Sequence, residues 1–161
     1  MLKFPKHHPE EPDSILALAG VAYDPPGVPP KPNGYSFLRG TLVELESLKA
    51  RAGSRRIVAL SGSEPTVTRL LAELPKARYA HLATHGFFAA DRLAADRKRQ
   101  EQLVQHWDGP ADPEKQRLIA GGSSLAYTGL LLAGANSPTT KDTGVVTGLS
   151  LIDLPLDQLQ L

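Results

Sequence analysis

A nine-residue apolar run, Ile15-Leu16-Ala17-Leu18-Ala19-Gly20-Val21-Ala22-Tyr23, constrains the fold of this chain more than any other segment. It shows no polar alternation, so it reads as a strand buried on both faces, which requires strand neighbours at its sides and packed layers above and below. Asp24-Pro25-Pro26-Gly27 marks its end. The stretch onward to Gly34 completes a set of five of the chain's 14 prolines and is expected to be a loop, since proline neither donates to a ladder nor continues a helix.

The segments that follow supply the required neighbours. Thr41 and Glu44 have the spacing of a capping box, which predicts a helix starting at Thr41, with Leu42, Leu45 and Leu48 as its apolar stripe and Gly53 as its stop. Arg56 to Leu60 is a second short strand. Pro65 suits the first turn of a second helix, with Val67, Leu70, Leu71 and Leu74 on its buried face and Pro75 at its end. A third strand then leads from Tyr79 to His85. Strand, helix, strand, helix, strand with short connections implies an α/β layered fold with a mostly parallel sheet.

Beyond that point the rhythm breaks. Asp91, Arg92, Asp96, Arg97, Lys98, Arg99 and Glu101 describe a solvated helix, and Trp107-Asp108-Gly109-Pro110 a loop, together an insertion over residues 89–120. Leu125 to Ala133 is predicted to be extended, with Val145-Val146 as a short partner across the polar loop Asn136 to Gly144, and Leu149 to Leu154 as a short helix. Residues 1–13 read as an irregular lead-in or linker and residues 14–161 as one domain. Leu156 to Leu161 reads as the approach to a further strand.

With 161 residues, one domain is expected. A net charge of +1 offers no footprint for phosphate backbones or anionic lipid, so neither nucleic acid nor a membrane surface is an expected partner. No stretch approaches the roughly 20 apolar residues of a bilayer span, and Met1 to Pro9 lacks the apolar core of a secretory signal, which makes a cytoplasmic location the expectation. The chain has no cysteine, hence no disulfide and no thiolate metal site.

The chemistry-bearing feature is the end of the third strand, His81-Leu82-Ala83-Thr84-His85-Gly86. In open parallel sheets, ligands gather beyond the carboxyl ends of strands, where a glycine lets the backbone approach them closely. His81 and His85 would share a face if both were extended. His81 reads as a buried, hydrogen-bonded histidine in mid-strand. His85 reads either as a presented imidazole or as a hydrogen-bonded loop histidine. A zinc pair is a third reading, but His-x3-His shares a face on a helix, and His7, His8 and His106 lie in polar segments that offer no evident third ligand. No metal and no cofactor is therefore expected. Serine chemistry is not indicated either, because Gly62-Ser63-Glu64 and Gly121-Gly122-Ser123-Ser124 lack the second glycine of a nucleophile elbow. Gly121-Gly122 also lacks the Lys-Ser/Thr of a phosphate-binding loop.

Leu71 to Phe88 resembles the histidine motif of the CHAT family, caspase-like cysteine peptidase domains often found beside tetratricopeptide repeats. Thr41 to Glu46, Leu130 to Asn136, Gly144 to Thr147 and Leu154 to Asp157 resemble further segments of that family in the same order, over roughly residues 14 to 161. The resemblance implies a caspase-like three-layer fold, here incomplete on its C-terminal side. It also implies that His85 is half of a Cys-His dyad, that the N–H of Gly86 belongs to an oxyanion hole, and that the substrate is a protein or peptide. Expected partners are tetratricopeptide-repeat regions or the missing C-terminal half. The family's cysteine follows on the next strand, before which this sequence stops. The expectation is thus the N-terminal part of a peptidase domain, inactive alone; the alternative is a non-catalytic caspase-like interaction module completed by a partner strand.

Overall fold

The computed structural model describes residues 13–105, 123–139 and 142–159. Residues 1–12 of the lead-in, the Trp107 to Pro110 loop, the Gly121-Gly122 pair, His7, His8 and His106, and the last two residues lie outside the described residues.

Strand β1 (Ser14–Val21) occupies the centre of a parallel three-stranded sheet between β2 (Arg56–Gly62) and β3 (Tyr79–Leu82). Its register pairs Leu16 with Val58 on one side and with Ala80 on the other. A strand flanked on both sides and covered on both faces has no wet position, which is why β1 is continuously apolar and buried from Ile15 to Val21.

Its two faces differ in size. Leu16, Leu18 and Val21 point into the larger cluster with Leu60, Leu70 and Leu74, whereas Ala17 and Ala19 meet Leu45. Helix α1 (Arg39–Arg51), which carries Leu45, therefore packs over the alanine face, and α2 (Val67–Glu73), which carries Leu70, over the leucine face. Small residues under one helix and large ones under the other make three layers, the α/β architecture expected and one consistent with part of a caspase-like fold.

A second, antiparallel sheet has the order β4-β5-β6, from β4 (Gly86–Phe88), β5 (Thr128–Leu131) and β6 (Val145–Thr147). Val146 pairs with Leu130, as expected for the short partner strand. The segment predicted to be extended from Leu125 begins instead as a 3-10 turn, Ser124–Tyr127, because the Ser123 hydroxyl accepts from the N–H of Leu125 and curls the chain first. Helix α3 (Ala90–Gln105) follows β4, and α4 (Gly148–Ile152) follows β6.

The predicted capping box does not form. Helix α1 starts two residues earlier, after Leu38, with no side-chain cap. Thr41 lies buried in its first turn, where its Oγ1 accepts the N–H of Gly20 at 2.8 Å and donates to the carbonyl of Leu38 at 2.7 Å. Glu44 turns away to His81. Both halves of the expected motif are used to latch the helix onto the sheet. Leu42 of the predicted stripe is 40% exposed, leaning over Gly20 instead of entering the core. Gly53, at φ +64° after the C-cap Ala52, stops the helix as expected.

Helix α2 also shifts by a step. Thr66 is its N-cap, accepting from the N–H of Arg69, so Pro65 precedes the helix and does not fill its first turn. The Asp142 carboxylate adds a second acceptor at this terminus, for the N–H of Val67.

Candidate functional site

The strand expected to run to His85 ends at Leu82. The N–H of Ala83 still donates to Leu18 of the parallel sheet, and two residues later the carbonyl of His85 accepts from Leu131 of the antiparallel sheet, both at 2.8 Å. His85 thus stands where the chain crosses between sheets, just beyond the carboxyl end of β3.

Tyr23, the last residue of the opening apolar run, organises this crossing from below. It is 2% exposed; its hydroxyl lies 2.7 Å from Thr84 Oγ1 and accepts the N–H of His85 at 3.2 Å. Because Thr84 Oγ1 donates to the carbonyl of Leu131, the proton between Tyr23 and Thr84 belongs to Tyr23. The order is His85 N–H to Tyr23 O–H to Thr84 O–H to Leu131 carbonyl, every member satisfied.

The imidazole itself is half-buried. It lies against the rings of Tyr23 (centroids 5.1 Å apart, tilted 50°) and Tyr35 (5.8 Å, 43°). Its Nε2 is 2.9 Å from the carbonyl oxygen of Ser36. A carbonyl can only accept, so Nε2 carries the hydrogen and the neutral ring keeps its lone pair on Nδ1.

Ser36 belongs to the proline-rich loop, and this loop is anchored by Asn136, a buried residue just past β5. Its Oδ1 accepts from the N–H of Tyr35 at 2.7 Å; its Nδ2 donates to the carbonyl of Tyr35 and to Asp24 Oδ2, each at 3.0 Å.

Gly86 opens β4 and faces Leu130. The flanking bonds, Leu131 N–H to the His85 carbonyl and Ala89 N–H to the Tyr127 carbonyl, make Gly86 and Leu130 a non-hydrogen-bonded pair. The N–H of Gly86 therefore points away from β5, off the outer edge of β4. A Cβ at this position would meet nothing nearer than the Gly129 carbonyl at 3.6 Å, and its φ is not positive, so the fold itself does not require glycine here.

His81 is not the buried residue expected. Its side chain is 40% exposed and its Nε2 lies 3.1 Å from Glu44 Oε2, because among the described residues β3 is an edge strand with β1 alone beside it. An open cavity of about 460 Å³ adjoins it, lined by Ile15, Leu48, Arg51, Tyr79 and Ala80 among others. His81 and His85 are committed to different partners, and among the described residues no three His, Asp or Glu side chains group as metal ligands. Away from the site, the Tyr127 phenol is held above its ordinary value of 10.0, first by its hydrogen bond to Asp96, then by burial and by that carboxylate's charge.

Tyr23, Tyr35, Ser36, Thr84 and Asn136 are the site residues that sequence reading did not single out. Among the described residues no helix is long and apolar enough to cross a membrane. The family model for the CHAT domain matches residues 10–161. No curated protein matches the chain, and no solved structure does.

Proposed function

The chain belongs to the CHAT domain family, a family of caspase-like peptidases, and from that membership we propose that His85 is the acid–base half of a Cys-His dyad for peptide-bond hydrolysis. The observation that carries this reading is the bond from His85 Nε2 to the Ser36 carbonyl, which leaves Nδ1 as the basic nitrogen of a ring held in place by two tyrosines. The thiol comes from outside these 161 residues, which contain no cysteine.

In that reaction Nδ1 takes the thiol proton and the thiolate attacks the peptide carbonyl carbon. The developing oxyanion is met by the outward N–H of Gly86, and the imidazolium returns its proton to the departing amine. Water then cleaves the thioester, with the same imidazole as base. A protein or peptide substrate follows from the chemistry. The absence of a side chain at Gly86, which the fold does not demand, supports an approach of the substrate backbone at this point.

The test is a chain extended beyond residue 161 by a cysteine-bearing segment from another family member, assayed on a peptide library. Cleavage by the extended chain, absent from the 161-residue chain and abolished by His85→Ala, is expected. A folded extended chain that cleaves nothing, or cleavage by the 161-residue chain alone, overturns the proposal.

A second reading rests on β3. Among the described residues no strand lies on its outer side, and an open, largely apolar cavity adjoins it. A non-catalytic module that accepts a partner's strand there would gain main-chain bonds and cover that surface. Such a module binds its partner equally well with His85→Ala, which separates it from the dyad reading.

A further inference from the structure

We propose that Asn136 is a positioning residue for the imidazole, fixing the protonated nitrogen of His85 through the backbone of Tyr35 and Ser36. It touches neither the ring nor any reacting atom, so its effect is transmitted through that loop.

The Ser36 carbonyl sits in a segment with no regular structure. From Asp24 to Phe37 the local main-chain bonds are two turns, Val28 N–H to the Pro25 carbonyl and Gly34 N–H to the Lys31 carbonyl. Neither turn reaches Ser36. The Asn136 amide supplies the missing constraint, since it accepts from the N–H of Tyr35 and donates to its carbonyl, as a neighbouring strand would. These contacts span 101 residues of sequence. On the other side of Ser36, Leu38 is held at the start of α1 by Thr41. Ser36 is thereby bracketed by an anchored residue on each side.

The same residue holds the main chain of both tyrosines whose rings flank His85. Its backbone N–H donates to the carbonyl of Tyr23 at 3.0 Å, while its side chain grips Tyr35. Its own carbonyl receives the Lys31 ammonium, which ties down a further point of the loop.

The amide orientation is dictated by its partners. Tyr35 N–H needs an acceptor, whereas the Tyr35 carbonyl and the Asp24 carboxylate both need donors, so oxygen and nitrogen have one arrangement. Asp24 Oδ1 is buried without a hydrogen-bond partner among the described residues, which makes the bond from Asn136 to Oδ2 the carboxylate's hold on a donor there. Gly34 gives the amide room: a Cβ there would lie 2.8 Å from Asn136 Nδ2 and 3.0 Å from Oδ1.

The proposal rests on the dyad reading for its catalytic meaning, but its test does not. Long-range proton–nitrogen correlation spectra of the ¹⁵N-labelled full chain report which imidazole nitrogen is protonated at each histidine. His85 in the parent chain is expected as the Nε2–H tautomer. Asn136→Asp, which faces Asp24 and the Tyr35 carbonyl with oxygen instead of N–H, is expected to shift the His85 tautomer ratio by on the order of three- to ten-fold, as weakening the one bond from Nε2 to the Ser36 carbonyl would. His81, bonded to Glu44, stays unchanged and serves as the internal reference. Gly34→Ala, which displaces the amide without altering it, is expected to give the same shift and decides the matter if Asn136→Asp does not fold. An unshifted His85 in a folded variant overturns the proposal, as does a parent chain with no preferred tautomer. An extended chain that fails to cleave peptides while these tautomer shifts occur refutes the dyad reading and leaves this one standing.

Discussion

The Nε2 of His85 is bonded to the main-chain carbonyl of Ser36, 2.9 Å away in space and 49 residues away in sequence. The partner is backbone, so the side chain at position 36 takes no part in it. Ser36 is exposed, and Ser36→Ala is expected to leave the His85 tautomer as it is and to change stability by less than about 0.5 kcal/mol. Denaturant unfolding together with the same nitrogen spectra checks both halves of this expectation; a displaced tautomer would mean that the serine hydroxyl matters after all.

Tyr23→Phe tests the relay beneath the ring. It removes the hydroxyl that accepts from His85 N–H and donates to Thr84, in a residue that is 2% exposed. Leaving these buried groups short of a partner is expected to destabilise the chain by about 1–3 kcal/mol. The urea midpoint measures it, and an unchanged midpoint would contradict the relay.

Thr41 distinguishes a latch from a cap. Thr41→Val keeps the shape but leaves the N–H of Gly20 without its acceptor, at an expected loss of about 1–3 kcal/mol, while Thr41→Ser retains the hydroxyl and most of the stability. A loss in Thr41→Ser with none in Thr41→Val would show that the methyl group, and not the hydrogen bond, is what the site needs.

Two glycines make an opposed pair. Gly20 has φ +59°, and a Cβ there would come within 2.4 Å of Leu42 Cδ2, so Gly20→Ala is expected to cost about 1–3 kcal/mol. Gly86→Ala meets neither obstacle and should fold with nearly the parent midpoint, yet abolish cleavage in a cysteine-completed chain. Full activity with alanine at 86, which keeps the N–H, would show that the substrate backbone does not come close at this point.

Tyr127 sets a pH dependence at the α3 end of the molecule. Its phenol donates to Asp96 Oδ2 at 2.5 Å, which favours the protonated form in the folded state. A folded value raised above the unfolded one means that the contribution is complete below pH 10.0, the ordinary value, and is lost as pH climbs through the folded value. Ultraviolet titration of the phenolate should show this tyrosine ionising later in the parent than in Asp96→Asn.

The central sheet was readable in the residues because burial on both faces writes itself as an unbroken apolar run, and β1 has no other way to be soluble in its surroundings. Helix α2 and the β5–β6 pair followed from similar local patterns. Thr41 and Glu44 misled because a capping box and a pair of helix-to-sheet latches use the same residue types at the same spacing; only the position of Gly20 and His81 in space separates them. His81 looked buried because a strand's sequence does not say how many neighbours it has. Most of the site was invisible for a different reason. Ser36 acts through a carbonyl that every residue possesses, and Asn136 acts over 101 residues through an amide whose partners are main chain.

From Ala83 N–H, the last bond of the parallel sheet, to the His85 carbonyl, the first of the antiparallel sheet, the chain has almost no slack. A tether that short leaves little room for the two sheets to slide past each other by the roughly 3.3 Å step of a strand. The angle of the imidazole is therefore a readout of how the two sheets rest on each other. Repacking Leu132 or Val146, both buried in the larger core cluster, would reach His85 through that tether.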